Sequence, residues 1–229
     1  MNSKDFLKNL STAPLVAVLR APSADQAQAA IHACVNAGIK NIEVTFSTPN
    51  TCDVIRKSKE RYKDCKIGAG TILNVSQMDE AHLSGADFLV SPHTQDDLLQ
   101  HASNLQYSRS IDLISSQQIV KNNNVTYIAG ASTPSELMDL YNSGFEIQKL
   151  FPGQLFSPEA IKTLLGPMPF LNLVVTGGVT QQTAPLYLSA GAKAVCVGSE
   201  LFKKSYWQDS NWRELENEAK KWVKIASST

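Results

Sequence analysis

Apolar residues along this chain cluster in short runs. They occupy residues 15–19, 42–46, 67–69, 88–90, 125–129, 147–151, 171–175 and 194–197. The continuous run at 15–19 is expected of a strand buried on both faces, as in a parallel sheet. Between the runs the period changes to that of helices, with clear punctuation. Ser23 opens a helix to Ala37, stopped by Gly38; Thr48-Pro49 opens one to about Tyr62; Ser76 opens one ending at Gly85. Thr133-Pro134-Ser135-Glu136 opens one ending at Gly144, Ser157-Pro158-Glu159 one ending at Gly166, and Thr180 one ending at Gly191. Ser or Thr at the N-cap, Pro in the first turn and Gly past the end are helix boundary signals. Residues 2–10 read as a short amphipathic helix carrying Phe6, Leu7 and Leu10. Trp207 to Ala226 reads as a closing amphipathic helix.

The phrases Ala37-Gly38, Ser84-Gly85-Ala86, Ser143-Gly144 and Ala190-Gly191-Ala192 each stand just before a strand. Strand and helix thus alternate about eight times, which predicts one closed (β/α)8 TIM barrel over 1–229 with a short N-terminal helix. A doubly wound open sheet competes, but its Gly-rich GxGxxG turn is missing. One stretch breaks the rhythm. After an expected helix at 94–102, residues 104–124 read as an extra segment, with a second short helix over 111–120. It is expected on the N-terminal face; the alternative places the extra residues before the helix, over the opposite face.

Composition narrows the class of partner. Lys+Arg and Asp+Glu are equal at 21 each, so nothing points to a polyanion, and nucleic acid is disfavoured. No run approaches the ~18 apolar residues of a membrane span. The polar start of the chain has no apolar signal core. The four cysteines, Cys34, Cys52, Cys65 and Cys196, form neither CxxC nor a Cys/His cluster. Disulfides, a metal site and a cofactor motif are therefore not expected, and a cytoplasmic protein with reduced thiols is the default.

The candidate chemistry gathers around Lys149, in Glu146-Ile147-Gln148-Lys149-Leu150-Phe151-Pro152-Gly153. A lysine within a buried strand is rare, and a snorkelling edge lysine is the ordinary explanation. Desolvation favours the free amine, which can attack a ketone to form a Schiff base. What favours chemistry is the company Lys149 keeps. In a barrel the site lies at the C-terminal ends of the strands. The polar residues at those ends are Arg20, Glu43, Thr71, Ser91-Pro92-His93, the 130–133 turn, Lys149, Thr176-Gly177-Gly178 and Gly198-Ser199. The last two turns fit a phosphate cup after strands 7 and 8, where bare glycine amides and a helix N-terminus favour an anion. The alternative is that they are tight turns only.

Several phrases, in order from about residue 14 to 202, resemble one family. They are Val16-Ala17-Val18-Leu19-Arg20, Ile42-Glu43-Val44-Thr45-Phe46, Gly68-Ala69-Gly70-Thr71, Val90-Ser91-Pro92-His93, Lys149-Leu150-Phe151-Pro152-Gly153 and Thr176-Gly177-Gly178-Val179. The chain resembles the KHG/KDPG aldolases, class I aldolases on a (β/α)8 barrel, usually homotrimeric and needing no metal or other cofactor. The resemblance implies cleavage of 2-dehydro-3-deoxy-6-phosphogluconate, a 2-keto sugar-acid phosphate of the Entner-Doudoroff type of catabolism, to pyruvate and glyceraldehyde 3-phosphate. It implies that Lys149 forms the Schiff base and Glu43 shuttles protons. Arg20 and Thr71 would hold the pyruvyl carboxylate, Gly177, Gly178 and Ser199 the phosphate, and Pro92 would line the pocket. Thr176 and Gly198 belong to the same substrate-binding turns. Ser47 stands where some members carry an arginine, and residues 104–124 exceed the family's usual length. The galactonate epimer's aldolase, a 4-hydroxy-2-oxoglutarate aldolase, and a phosphate-binding isomerase or synthase barrel remain alternatives. The last would need no lysine on strand 6.

Overall fold

The structure, a computed structural model, describes residues 1–107 and 125–228. Eight parallel strands close into a barrel in chain order: β1 Leu15–Leu19, β2 Asn41–Thr45, β3 Lys66–Gly70, β4 Phe88–Val90, β5 Thr126–Ala131, β6 Gln148–Leu150, β7 Leu173–Thr176 and β8 Ala194–Val197. The helices are α1 Ser3–Thr12, α2 Ala24–Asn36, α3 Thr51–Arg61, α4 Val75–Leu83, α5 Asp96–Tyr107, α6 Pro134–Asn142, α7 Pro158–Leu165, α8 Ala184–Ser189, α9 Lys204–Gln208 and α10 Trp212–Ser227. Every strand seen in the hydrophobic pattern forms, each within two residues of its expected ends.

The pleat divides the apolar runs between two cores, because successive side chains of a strand point to opposite faces. Val16, Phe88, Val90, Ile128, Ile147, Val174, Ala194 and Cys196 fill the barrel interior. Leu15, Ala17, Leu19, Ile42, Val44, Ile67 and Leu89 turn outward under the helices. Helix α1 closes the floor. Its Phe6 and Leu10 join the interior core, and Phe6 stacks on Phe88 with ring centroids 4.6 Å apart. Thr126 Oγ1 donates to Met1 O at 2.9 Å, and Asn41 Nδ2 donates to Ala13 O at 2.9 Å, tying the N-terminal segment to β5 and β2. At the other end of the chain, Trp222 of α10 is fully buried, and α10 packs on α2 and α8 to complete the outer ring.

The repeated helix-to-strand turn has one cause. Gly38, Gly85, Gly144 and Gly191 have φ of +97°, +84°, +86° and +107°. This left-handed region strongly favours glycine at the end of a helix. At α6 the Thr133 and Glu136 capping box forms with Pro134 in the first turn, as the sequence predicts. Elsewhere a competing bond moves the boundary. Helix α3 starts at Thr51, not Thr48-Pro49, because Thr48 Oγ1 accepts from Ala21 N across 27 residues, at 3.1 Å, and Asn50 takes the cap position at φ +55°. Helix α4 is capped by Asn74, whose Oδ1 accepts from Gln77 N, rather than by Ser76. The expected single tail helix is two helices, α9 and α10, separated at Ser210, which has φ +51°.

Five residues separate β4 from α5, so the added chain length follows the helix rather than preceding it. Helix α5 takes in residues 104–107 of the segment set apart in the sequence; the second short helix expected over 111–120 lies outside the described residues. Among the described residues no helix is long and apolar enough to cross a membrane.

Candidate active site

Strands β2 and β6 stand four places apart in the closed order, on opposite walls of the barrel. Register aligns Glu43 of β2 with Val18 of β1 and Gly68 of β3, and Lys149 of β6 with Gly130 of β5 and Val174 of β7. These are inward positions, so a carboxyl and an amine approach one another across the interior. Both are buried, at 1% and 5% exposure. One nearby inward position, Gly70 of β3, is a glycine that leaves room for the Glu43 carboxyl. A Cβ on Gly70 would overlap the Glu43 carboxyl, and one on Gly130 would overlap the Pro92 carbonyl. Among the described residues no hydrogen bond or ion pair engages either Glu43 or Lys149. Lys149 Nζ lies 5.1 Å from the Phe151 ring centroid, within the range of a cation–π contact.

Burial pushes the Glu43 carboxyl above the usual carboxylate range; the positive charges of Lys149 and Arg20 pull the other way. A carboxyl whose pKa is raised in this way is suited to both giving and taking a proton. The Cys196 thiol, on the inner face of β8, is pushed up to about 12, mainly by burial and then by Glu43. That makes it an apolar wall rather than a nucleophile. The nearby Thr176 hydroxyl opposes this shift but lacks hydrogen-bond geometry, and Thr176 Oγ1 is a buried polar atom with no partner.

A cleft of about 390 Å³ opens at the C-terminal ends of β1, β7 and β8. Arg20, Thr176, Gly177, Gly178, Gly198 and Ser199 all line it. Thr176 and Cys196 also line a water-sized gap of about 10 Å³ beneath, whose wall includes Glu43 and Lys149. The cleft and the gap beside the carboxyl and the amine therefore share a wall at Thr176 and Cys196. Arg20 is exposed and makes no ion pair among the described residues. Gly177 and Gly178 have φ of +99° and +68°, and no hydrogen bond occupies their amides or those of Ser199 and Glu200 among the described residues. Such open amides can bind an anion. The helix field expected there is absent, since α8 begins only at Ala184 and has six residues. Any anion site rests on the bare amides.

Thr71 and Pro92 stand at the exits of β3 and β4, outside the cleft lining. Thr71 has φ +58°, an uncommon conformation for a β-branched residue and one found at functional sites. Sequence reasoning missed Phe151, Val179, Glu200 and Phe202 as lining residues. It also missed Cys196, which counting by twos from Ala194 would have placed inside. Among the described residues no group of three or more His, Cys, Asp or Glu side chains is arranged to hold a metal.

The family model described as KDPG and KHG aldolase matches residues 7–120 and 113–217, the two matches meeting inside the 104–124 segment. The chain is 27% identical over 192 residues to the 2-dehydro-3-deoxy-6-phosphogalactonate aldolase of Escherichia coli, covering 83% of this chain and 85% of that one. It is 29% identical over 181 residues to the 2-dehydro-3-deoxy-phosphogluconate aldolase of Pseudomonas aeruginosa, covering 78% and 74%. Among solved structures it resembles the 2-keto-3-deoxy-6-phosphogluconate aldolase of Zymomonas mobilis with 3-phosphoglycerate, with a TM-score of 0.79 and 25% identity over 99% of this chain and 95% of that one.

Proposed function

The chain belongs to the KDPG and KHG aldolase family, and on that premise we propose that it cleaves 2-dehydro-3-deoxy-6-phosphogluconate by a Schiff-base mechanism. The observation that carries this reading is the pairing of Lys149 with Glu43. They are the two buried charged side chains of the barrel interior among the described residues, and they approach from opposite strands.

The Lys149 amine adds to the C2 ketone of the substrate. Glu43 protonates the resulting hydroxyl, which leaves as water, and an iminium remains. Glu43, now a carboxylate, takes the proton of the C4 hydroxyl. The C3–C4 bond breaks, its electron pair moves into the iminium as an enamine, and glyceraldehyde 3-phosphate departs. Glu43 returns the proton to C3, and water hydrolyses the imine to release pyruvate and the amine. The iminium is the electron sink, so the scheme calls for no metal. Arg20 holds the carboxylate next to the ketone by a charge-assisted contact, aided by Thr71, with Pro92 as a wall. The open amides at Gly177, Gly178 and Ser199 hold the distal phosphate.

Relatives named for the gluconate and for the galactonate substrate stand at similar identity. The epimer preference is assigned by comparing kcat/KM for the two, with 4-hydroxy-2-oxoglutarate as the shorter, unphosphorylated competitor. The mechanism is tested by pyruvate with borohydride, which makes an imine permanent. The adduct is expected on Lys149, with turnover lost and Lys149→Ala inactive. An adduct mapped to another lysine, such as Lys162 on α7, overturns the assignment.

A further inference from the structure

The turn that leaves the lysine strand packs directly on the turn that leaves β7. Residues Gly153–Leu155 form a single 3-10 turn after β6. Tyr187 of α8 fixes it, its OH donating to Phe156 O at 2.8 Å and reaching Gly153 O at 3.3 Å. A Cβ on Gly153 would stand 2.8 Å from Gly177 O and 2.9 Å from Thr176 O, so the two backbones touch only because Gly153 has no side chain. This contact sets the next residue, Gln154, over the glycine pair. A Cβ on Gly178 would lie 2.7 Å from Gln154 Cβ and 2.9 Å from its Oε1. The Gln154 carboxamide is exposed and takes part in no hydrogen bond among the described residues.

Charge in the cleft makes that carboxamide informative. Arg20 is the one cation among the lining residues and Glu200 the one anion. With Arg20 engaged by the carboxylate at the reacting end, no positive side chain remains among the lining residues for a distal dianion, and Glu200 opposes it. The anion must be held by neutral donors. The amides of Gly177 and Gly178 supply two, and a carboxamide NH2 beside them supplies two more hydrogens on a side chain free to turn.

We propose that Gln154 is a specificity-determining residue, whose NH2 closes the outer side of the distal phosphate site and favours a phosphorylated substrate over a shorter carboxylate. This rests on the aldolase reading and assigns a role to a residue which that reading leaves idle. A phosphate on a six-carbon chain reaches the Gly177-Gly178 turn and presents several acceptor oxygens. The distal carboxylate of 4-hydroxy-2-oxoglutarate is carried on a shorter chain and does not reach Gln154.

The test uses the full-length enzyme and two readouts, the ratio of kcat/KM for the phosphorylated substrate to that for 4-hydroxy-2-oxoglutarate, and competitive inhibition by inorganic phosphate. Gln154→Leu keeps the size of the side chain and removes the donor. It is expected to lower the ratio about 10-fold and weaken phosphate inhibition in parallel, as for loss of one bond to a charged group. Gln154→Glu places a negative charge there and is expected to lower both further. The proposal is overturned if Gln154→Leu leaves both readouts at wild-type values while Gly178→Ala weakens phosphate, since the cup then exists without Gln154. Equal loss with both substrates also overturns it, because that marks a structural turn residue. If phosphate fails to inhibit even the wild type, the proposal falls with the phosphate cup. Borohydride trapping on Lys149 then decides separately whether the aldolase reading stands.

Discussion

Glu43 and Gly70 share one space: the carboxyl of Glu43 on β2 lies over the Cα of Gly70 on β3, where a side chain on residue 70 would stand. The glycine is the reason a buried glutamate can lie against the neighbouring strand. Gly70→Ala is therefore expected to displace Glu43 and lower kcat by about 10²-fold, the scale of losing a positioned acid–base group. Far-UV circular dichroism should show an intact fold. Wild-type kcat in this variant would mean that the carboxyl need not sit where the structure puts it.

Glu43→Gln separates the two halves of the proposed chemistry. Some pyruvate imine should still form, whereas turnover should fall by about 10²-fold or more. Stopped reduction with borohydride measures the first and aldehyde release the second. If both fall equally, Glu43 acts in imine formation alone.

The same variant has a stability signature. Burial raises the folded-state pKa of Glu43, so the unfolded chain releases this proton at lower pH than the native protein. Between those two values ionisation penalises the fold, and stability is lost as pH rises. Gln cannot ionise. Glu43→Gln should match the wild type near pH 4 and exceed it in Tm by a margin that grows toward neutral pH. A margin that shrinks over that range has the wrong sign for a desolvated carboxyl.

Gly178→Ala tests the cup itself. At φ +68° an alanine is strained, and its Cβ would meet Gln154 Cβ at 2.7 Å. KM for the phosphorylated substrate should rise about 10-fold or more, with much less effect on 4-hydroxy-2-oxoglutarate. A similar rise for both substrates would make the glycine pair only a tight turn.

The floor of the barrel is tested at Phe6. The ring is fully buried, stacked on Phe88, and belongs to the interior core beneath the site. Phe6→Ala should lower stability in urea by about 3 kcal/mol or more, as for other deleted core aromatics. A loss below about 1 kcal/mol would show that α1 is a dispensable plug.

The sequence alone determined what depends on near neighbours. Apolar runs marked all eight strands, and glycine after a helix marked four left-handed turns, because burial periodicity and φ preference act within a few residues. The Thr133-Pro134-Glu136 cap formed as written because its bonds close within the same turn. Lys149 and Glu43 stood out because a charge inside an apolar strand is visible without knowing its partner.

Only the tertiary structure decided what depends on distant residues. Barrel closure put β2 opposite β6 and so brought together side chains 106 positions apart. Ala21 N claimed the Thr48 hydroxyl and moved the start of α3, a competition between a local cap and a long-range bond that local rules cannot foresee. The contact of Gly153 with Gly177, and with it the placing of Gln154, arose in the same way. Two turns 24 residues apart meet because adjacent strands deliver them to one rim, and glycine at both lets their backbones touch.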